Sequence, residues 1–519
     1  MNNGAKGIRI AWIGAAILAA ASLFGCRTAL QSPEQEPLAA ATEAPTPAPT
    51  PILLDGGAYT GEETSLQLVA IEADFALIET FPNLETLDLS GSTCFERIAA
   101  YRDAHPTVEV RYTVPIGGSL LTADTEQATV ASVPDPTLLR YLPRLTELTV
   151  TEPMTPADAK ALLLAMPQGE LHYAVSFAGM TVQNDTTELD LTAYPPEQAE
   201  ALAEGLAALP ELNDVSLNPK DGATDWTLKD VGILQAVRES LRVDYRVTAF
   251  RKTFSLTDAV VDLNNTPLNH QIEELRALLP YLRNVQRLDM ENCQIPDEQM
   301  AALREEFPTP KIVWRVKVGP YSCRTDALMI RFSNYISHRK LNDDDLKALV
   351  YCNEMKYMDL GHSNITHPYV VAYMPNLEVC IVSPAKVTDI SGIENCKKLE
   401  YCELFNGKIA DISPLAACTE LKHLNLCMNQ ITDLSPLYGL TKLERLWISR
   451  NPIPEDQIAV MQSIVPDCVI NTTAKDPTQN EWRWKRHGDS NYAIRYELLR
   501  KQMLYDHSQN TYSVEPDFD

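Results

Sequence analysis

Basic residues are scarce in this sequence of 519 residues. It has 44 lysines and arginines against 70 aspartates and glutamates, which gives a formal net charge of −26. Such a chain is repelled by a phosphate backbone, so DNA and RNA are poor candidate partners. The composition is that of a folded protein, and the length exceeds a single compact core. We therefore expect several domains or one elongated array.

The recognisable motifs of enzymes and metal sites are also missing. The sequence contains no phosphate-binding loop, no nucleophile elbow and no credible catalytic triad. It has no Cys-x-x-Cys pair, and its nine histidines do not cluster with metal-binding spacing. We predict that the protein is not an enzyme and uses no cofactor or metal.

The N-terminus has the pattern of an export signal. Lys6 and Arg9 precede an apolar run from Ile10 to Phe24, and the motif Leu-Phe-Gly-Cys26 closes this run. The motif resembles the bacterial lipobox, in which the cysteine is lipidated and becomes the mature N-terminus. We predict a lipoprotein signal peptide over residues 1–26 and a location on the outer face of a bacterial membrane through lipidated Cys26.

Other interpretations of this segment exist. One alternative is a transmembrane anchor, although the apolar run is shorter than the roughly 20 residues that a spanning helix needs. Ala19-Ala20-Ala21 would suit an ordinary signal peptidase, and the protein would then be secreted. Residues 27–57, rich in Pro, Thr and Ala, are predicted to form an extended linker that holds the folded part away from a membrane or wall.

A register of 22 residues dominates the C-terminal half. Two series of apolar residues, here called columns, are spaced by 22 residues throughout: Met355, Leu377, Leu399, Leu421 and Leu443; and Met358, Cys380, Cys402, Leu424 and Leu446. Such a period is typical of a solenoid whose coils each bury a face against the next. We predict regular repeats over residues 341–470, each with one short strand on the concave side.

The segment from Leu421 to Leu437 reads Leu-Lys-His-Leu-Asn-Leu-Cys-Met-Asn-Gln-Ile-Thr-Asp-Leu-Ser-Pro-Leu, and its neighbours from Leu399 and Leu443 follow the same frame. This unit resembles the internalin-type leucine-rich repeat of bacteria. The resemblance implies an α/β fold, a leucine-rich-repeat solenoid with a parallel concave β-sheet and short helices on the convex side. Because proteins of this type are adhesins or interaction modules, it also implies binding without catalysis.

Three polar positions of the repeat are expected to stabilise its turns. The serines before Pro414 and Pro436 are expected to cap short convex helices. In this family the column of Asn429 and Asn451 satisfies backbone groups of the inner turn. The acidic ladder of Asp389, Asp411 and Asp433 is expected to satisfy loop backbone rather than to hold a cation.

Eleven cysteines in an exported protein first indicate disulfides. Their positions favour another interpretation, because Cys352, Cys396 and Cys418 share one 22-residue column and Cys380 and Cys402 replace leucines of the strand. Free cysteine behaves as a small hydrophobic residue. We expect buried thiols, with a bridge between Cys380 and Cys402 as the open alternative.

Residues 58–340 are predicted to be irregular leucine-rich-repeat modules. Each of four modules, 61 to 72 residues long, has three apolar strands that begin near an aromatic-x-Val triplet, at Tyr112, Tyr173, Tyr245 and Trp314. The second strand follows after sixteen residues, a step that fits either a short coil or an antiparallel hairpin. Since Met358 belongs to both halves of the chain, we expect one continuous sheet.

Residues 471–519 depart from the pattern. Solenoids need a terminal cap over their last exposed apolar edge, and we predict that this cap/tail supplies it. An alternative is that its aromatic residues, Trp482, Trp484, Tyr492 and Tyr496, bind a glycan or peptide.

The residues between the leucines of each strand point to the concave side. Aromatic residues and arginine are enriched at binding hot spots, whereas a surface needed only for solubility would carry Lys, Glu, Ser and Thr. We predict an open ligand-binding surface made of Tyr357, Asp359, Ile381, Tyr401, Glu403, Phe405, His423, Asn425, Arg445 and Trp447. An ordinary mixed surface is the alternative.

These features together predict a surface-anchored leucine-rich-repeat protein. It would bind a protein or glycan at the cell surface through its concave face and contact the membrane through its lipid anchor. The alternative function is a structural or assembly spacer of the cell envelope without a concave ligand. An enzyme with a site split between coils has the least support.

Overall fold

A computed structural model describes residues 51–218, 225–333, 340–479 and 481–483. Within these ranges the chain is a solenoid of short strands and helices around one hydrophobic core that extends from Leu54 to Cys468. The lipobox cysteine, Cys26, and the predicted signal peptide lie outside the described residues. The predicted linker overlaps a hairpin of Ile52–Leu54 and Gly57–Tyr59, so regular structure begins before the predicted boundary at residue 57.

A seven-stranded parallel sheet, here called the array sheet, forms the concave side of the C-terminal half. Its strands are Met329–Arg331, Tyr357–Asp359, Val379–Ile381, Tyr401–Glu403, His423–Asn425, Arg445–Trp447 and Val469–Asn471. The central residues of the strands pair in register, Met358 with Cys380, Cys380 with Cys402, Cys402 with Leu424 and Leu424 with Leu446. The 22-residue period is therefore the step from one coil to the next, as predicted.

Short 3₁₀ helices cover the convex side of the array sheet: Asp343–Tyr351, Tyr369–Tyr373, Ile393–Asn395, Ser413–Ala417 and Ser435–Leu437. The prediction that serines cap these helices is wrong at Ser413 and Ser435, where no side-chain cap bond forms. Instead, the carboxylates of Asp411 and Asp433 accept hydrogen bonds from the two serine amides, each at 2.8 Å. The acidic ladder thus satisfies loop backbone, as expected.

In the first half, the structure decides whether the sixteen-residue steps are short coils or antiparallel hairpins. Each step holds an antiparallel hairpin: Thr113–Ile116 with Ser119–Thr122, Ala174–Phe177 with Met180–Gln183, Arg246–Ala249 with Lys252–Ser255, and Arg315–Val318 with Tyr321–Arg324. Each hairpin ends one parallel sheet, and the next sheet starts after it. The expected continuous sheet is therefore wrong: the core is continuous, but the sheet is interrupted.

The interrupted sheets have three parallel strands each. They comprise Ser65–Gln67, Thr86–Asp88 and Glu109–Arg111; Gln127–Val130, Glu147–Val150 and Glu170–His172; Glu188–Asp190, Asp214–Ser216 and Arg242–Asp244; and Val260–Asp262, Arg287–Asp289 and Lys311–Val313. Tyr112, Tyr173 and Trp314, at most 3% exposed, occupy the corners between sheet and hairpin. The hydroxyl groups of Tyr112 and Tyr173 donate to the carbonyl groups of Tyr141 and Ala208, which fixes these corners.

Helices connect the strands on the outer side. The α-helices are Phe75–Ile78, Phe95–Ala104, Pro156–Ala165, Ala199–Leu206, Leu228–Gln235, Ile272–Leu278, Asp297–Glu306 and Glu455–Ile464, and further 3₁₀ turns are Glu72–Asp74, Pro136–Tyr141, Pro196–Gln198 and Leu279–Tyr281. In the described part of the chain, no helix has the length and apolar character needed to cross a membrane.

The cysteines are part of the core. All ten in the described ranges are free, and all but Cys94 are buried. Burial raises the pKa of Cys293 and Cys468 to about 11 and that of Cys418 to about 12, so these thiols stay protonated at neutral pH. The prediction of buried thiols is confirmed, and Cys380 and Cys402 stack without a bridge.

Candidate binding site on the concave face

The predicted concave residues lie where the repeat frame puts them. Nine of them occupy strands of the array sheet, and Phe405 follows the strand Tyr401–Glu403 directly on the same coil. Their side chains alternate with the core-facing central residues of the strands, because successive strand residues point to opposite faces. The array sheet thus brings the ten predicted residues to one face.

The expectation that this face is open must be corrected. Only Tyr357 and His423 are half-buried; the other eight predicted residues are at most 7% exposed: Asp359, Ile381, Tyr401, Glu403, Phe405, Asn425, Arg445 and Trp447. They are covered because the chain folds back over them after the last strand. Tyr401, Phe405 and Trp447 form a second apolar cluster that includes Ala474 and Trp482 of the returning chain.

We call this returning segment the strap, residues 474–479 and 481–483. A turn at Asn471 leads into the strap, and the side-chain oxygen of Asn471 accepts hydrogen bonds from the amides of Thr473 at 3.0 Å and Ala474 at 2.9 Å. A second turn follows at Asp476, which accepts from the amide of Thr478 at 2.8 Å. These turns direct the strap across the array sheet. The described part of the predicted cap therefore covers the concave face rather than the last apolar edge.

Trp482 is the anchor of the strap and is completely buried. Its ring centroid lies 5.4 Å from that of Tyr401 and 5.1 Å from that of Trp447. The guanidinium of Arg445 lies 4.6 Å from the same ring, in cation–π geometry. The concave aromatics thus form a slot that one indole fills.

A buried carboxylate closes the bottom of this slot. Glu403 is 0% exposed and accepts a hydrogen bond from Nε1 of Trp482 at 2.7 Å. It also accepts from Nε of Arg483 at 2.9 Å and from Nη2 of Arg483, so the guanidinium contacts both carboxylate oxygens. The hydroxyl of Tyr401 is a further donor. A carboxylate without water is tolerated only with such a cation and donors around it.

The array sheet also contacts the main chain of the strap. Nδ2 of Asn425 donates to the carbonyl of Pro477 at 2.8 Å, and Nη1 of Arg445 donates to that of Glu481 at 2.8 Å. The hydroxyl of Ser449 donates to the carbonyl of Ala474 at 3.0 Å. Ser449 was not among the predicted site residues, although its position two residues after Trp447 matches that of Phe405 two residues after Glu403.

Asp359 extends the charged part of the site toward the first half. Nε of Arg331 lies 3.2 Å from its carboxylate. Burial raises the pKa of Asp359, while the positive charges of Arg483 and Arg331 oppose this rise. Arg483 therefore acts electrostatically on two buried carboxylates of the concave face.

A comparison of the sequence with known families supports the assignment of the repeats. Residues 419–459 match the family described as Leucine Rich repeats (2 copies). The fold is a leucine-rich-repeat solenoid. No curated protein matches the chain significantly. The described ranges contain no group of three or more His, Cys, Asp or Glu side chains arranged to hold a metal ion.

Several solved structures are similar to the chain at low identity. The internalin inlF of Listeria monocytogenes is 17% identical, with 74% of this chain and 91% of that chain covered and a TM-score of 0.27. The leucine-rich-repeat protein LIC12759 of Leptospira interrogans is 17% identical, with 76% and 91% covered and a TM-score of 0.25. Since these TM-scores are low, the fold assignment rests on the strand register and the family match.

Proposed function

We propose that this protein is a surface-anchored leucine-rich-repeat protein that binds a protein or glycan through its concave face. One observation carries the proposal: the array sheet has a pocket of buried aromatic and charged side chains, Tyr401, Glu403, Arg445 and Trp447, that holds a peptide segment by side-chain and main-chain contacts. Solenoids use their extended concave surfaces for binding.

The composition of this pocket supports a binding role over a merely solubilising surface. Buried charges on a sheet face weaken folding unless they are paired, so they are costly features for a simple scaffold. Tryptophan, tyrosine and arginine are also the residues enriched at the centres of protein interfaces. The pocket holds all three types within one cluster, at Trp447, Tyr401 and Arg445.

Anchoring to the cell surface is part of the proposal and rests on the lipobox-like sequence at Cys26. We expect the chain expressed in a bacterial host to incorporate a radiolabelled lipid precursor and to fractionate with membranes. Cys26→Ala should lose the label and move to the soluble fraction, because only the cysteine thiol accepts the lipid. Cys94→Ala is the matched control and should keep both. Equal labelling of Cys26→Ala would contradict the anchor.

A second candidate function is favoured by a specific observation. The strap already occupies the pocket, so the modules could act as an envelope spacer whose contacts are made elsewhere. In that case, changes on the concave face would leave surface interactions intact.

Tyr357 and His423 distinguish the two functions, because both belong to the concave columns and are half-buried beside the strap. We expect Tyr357→Ala with His423→Ala to reduce capture of a surface protein or glycan from cell extracts by at least about tenfold, as for hot-spot residues. The matched control is Tyr373→Ala with His270→Ala, which lie outside the array sheet. Capture by the full chain is quantified by mass spectrometry; equal capture by both double variants would support the spacer.

A further inference from the structure

The strap shows what the concave pocket can recognise. Two side chains of the array sheet, Asn425 and Arg445, and that of Ser449, which follows the strand Arg445–Trp447, donate to backbone carbonyl groups of the strap. Contacts to backbone carbonyls do not depend on the identity of the bound residues. The strap itself is folded into turns, in which the amides of Trp482 and Arg483 donate to the carbonyl groups of Gln479 and Thr478. The pocket therefore recognises the main chain of a turn-forming polypeptide segment, and its selectivity must come from the positions of Trp482 and Arg483.

The charge of Glu403 limits the choice of occupant. Its carboxylate is completely buried, and in the occupied pocket Arg483 supplies the facing cation. An occupant that removes Arg483 without replacing its charge leaves a buried, unpaired carboxylate, which is strongly unfavourable. The planar guanidinium, which can contact both carboxylate oxygens, meets this need better than the ammonium of lysine. The neutral hydroxyl groups of a glycan bring no charge.

The aromatic slot adds a second requirement. The indole of Trp482 fills the space between Tyr401 and Trp447 and lies under the guanidinium of Arg445. An aliphatic side chain would lose the cation–π contact and the hydrogen bond from Nε1 of Trp482 to Glu403. An aromatic residue next to an arginine is thus the pair that the slot accepts.

One donor of the pocket is unused by the strap. Trp447 is 2% exposed, and its indole N–H has no hydrogen-bond partner in the described ranges. A buried donor without an acceptor costs free energy. A different segment that brings a carbonyl oxygen to this N–H would gain a bond that the strap does not make, which gives an external ligand an advantage over the resident one.

We propose that the concave pocket is a receptor site for a polypeptide segment that carries an aromatic residue followed by arginine, and that the strap is its built-in competitor. This inference rests on the proposed function and narrows its ligand to a protein. The strap is tethered directly to the last strand, so its effective concentration at the pocket is on the order of millimolar. An external segment binds by displacing Trp482 and Arg483.

A synthetic peptide with the sequence of residues 474–483, labelled with a fluorophore at its N-terminus, tests this site. We expect the full chain carrying Trp482→Ala and Arg483→Ala to bind the peptide at least tenfold more tightly than the wild-type chain, because its own strap no longer competes. Replacing the arginine of the peptide by alanine should weaken binding about a hundredfold, as expected for an unpaired buried charge.

A pair of matched variants isolates the role of the carboxylate. In the same strap-disabled chain, Glu403→Gln should weaken binding of the peptide about a hundredfold. Glu400→Gln should leave it unchanged, since Glu400 lies on the same coil but is exposed and paired with Lys422. If the strap-disabled chain does not fold, the same two substitutions in the wild-type chain, titrated at higher peptide concentration, decide the question.

Three results would overturn the inference: equal affinity for the arginine-free peptide, equal binding by the Glu403→Gln and Glu400→Gln variants, or no peptide binding by a folded strap-disabled chain. Capture of a glycan that is insensitive to Glu403→Gln would also contradict it, while leaving the proposed function in place. Conversely, arginine-dependent peptide binding together with unchanged surface capture by the Tyr357→Ala, His423→Ala chain would uphold the peptide site and contradict only the part of the proposed function that assigns capture of a surface ligand to the concave face.

Discussion

Replacing Asn429 by alanine is expected to lower the free energy of unfolding by about 3 kcal/mol. The side chain of Asn429 is buried inside the turn of its coil and donates to the carbonyl groups of Leu404 at 2.8 Å and Leu426 at 3.0 Å. Its oxygen accepts from the amide of Ile409 at 3.1 Å. Alanine leaves these backbone groups without their partner in a place that water does not reach, and each such loss costs about 1 to 3 kcal/mol.

Asn451 is the matched control for this prediction. It makes the same pattern of bonds one coil later, with the carbonyl groups of Leu426 and Ile448 and the amide of Ile431. Because Asn451 is only half-buried, water replaces part of what alanine removes, and we expect a loss of about 1 kcal/mol. Urea unfolding followed by circular dichroism, with unchanged slope, measures both. A loss at Asn429 no larger than at Asn451 would contradict the argument that burial sets the size of the effect.

The second large effect is expected from Trp482→Ala, which should destabilise the strap by about 3 to 5 kcal/mol, the range for a buried aromatic replaced by alanine. The change removes the ring between Tyr401 and Trp447 and the hydrogen bond to Glu403. Arg483 then loses its packed neighbour. The array sheet keeps its own core beneath the concave face, so we expect release of the strap rather than unfolding of the coils.

Hydrogen exchange measured by mass spectrometry separates these outcomes. The amides of Gln479 and Arg483, hydrogen-bonded within the strap, should lose protection in Trp482→Ala. The amides that pair the strands Tyr401–Glu403 and His423–Asn425 should keep theirs. Tyr373→Ala, which removes an exposed aromatic on the convex side, should change neither. Full protection of the strap in Trp482→Ala would show that the indole does not anchor it.

The hairpins of the first half show where local pattern is informative and where it is not. Three of them turn through two residues with positive φ: Gly117 and Gly118, Ala178 and Gly179, and Phe250 and Arg251. Such pairs match the type I′ turn, for which glycine is the usual choice. The first pair is therefore a readable hairpin signal, whereas Phe250 and Arg251 carry none and adopt this conformation because the flanking strands pair.

The position of the strap could not be predicted from the sequence, because it depends on contacts between segments that are far apart in the chain. Trp482 and Arg483 contact Glu403 across 79 and 80 residues of sequence, and no repeat relates the two segments. The sequence shows acidic residues, Asp359 and Glu403, in one concave column, and a basic, aromatic stretch near the end of an acidic chain. Their meeting depends on the turns at Asn471 and Asp476, which bring the chain back over the sheet.

The sequence by itself determined the solenoid, the 22-residue coil, the buried thiols and the set of side chains that share the concave face. These follow from contacts between neighbouring coils, which a period in the sequence records directly. Only the tertiary structure decided that this face is covered, that hairpins divide the sheets of the first half, and that Glu403 is paired with Arg483. These depend on contacts between segments without a common period, where burial and charge pairing select one arrangement among many.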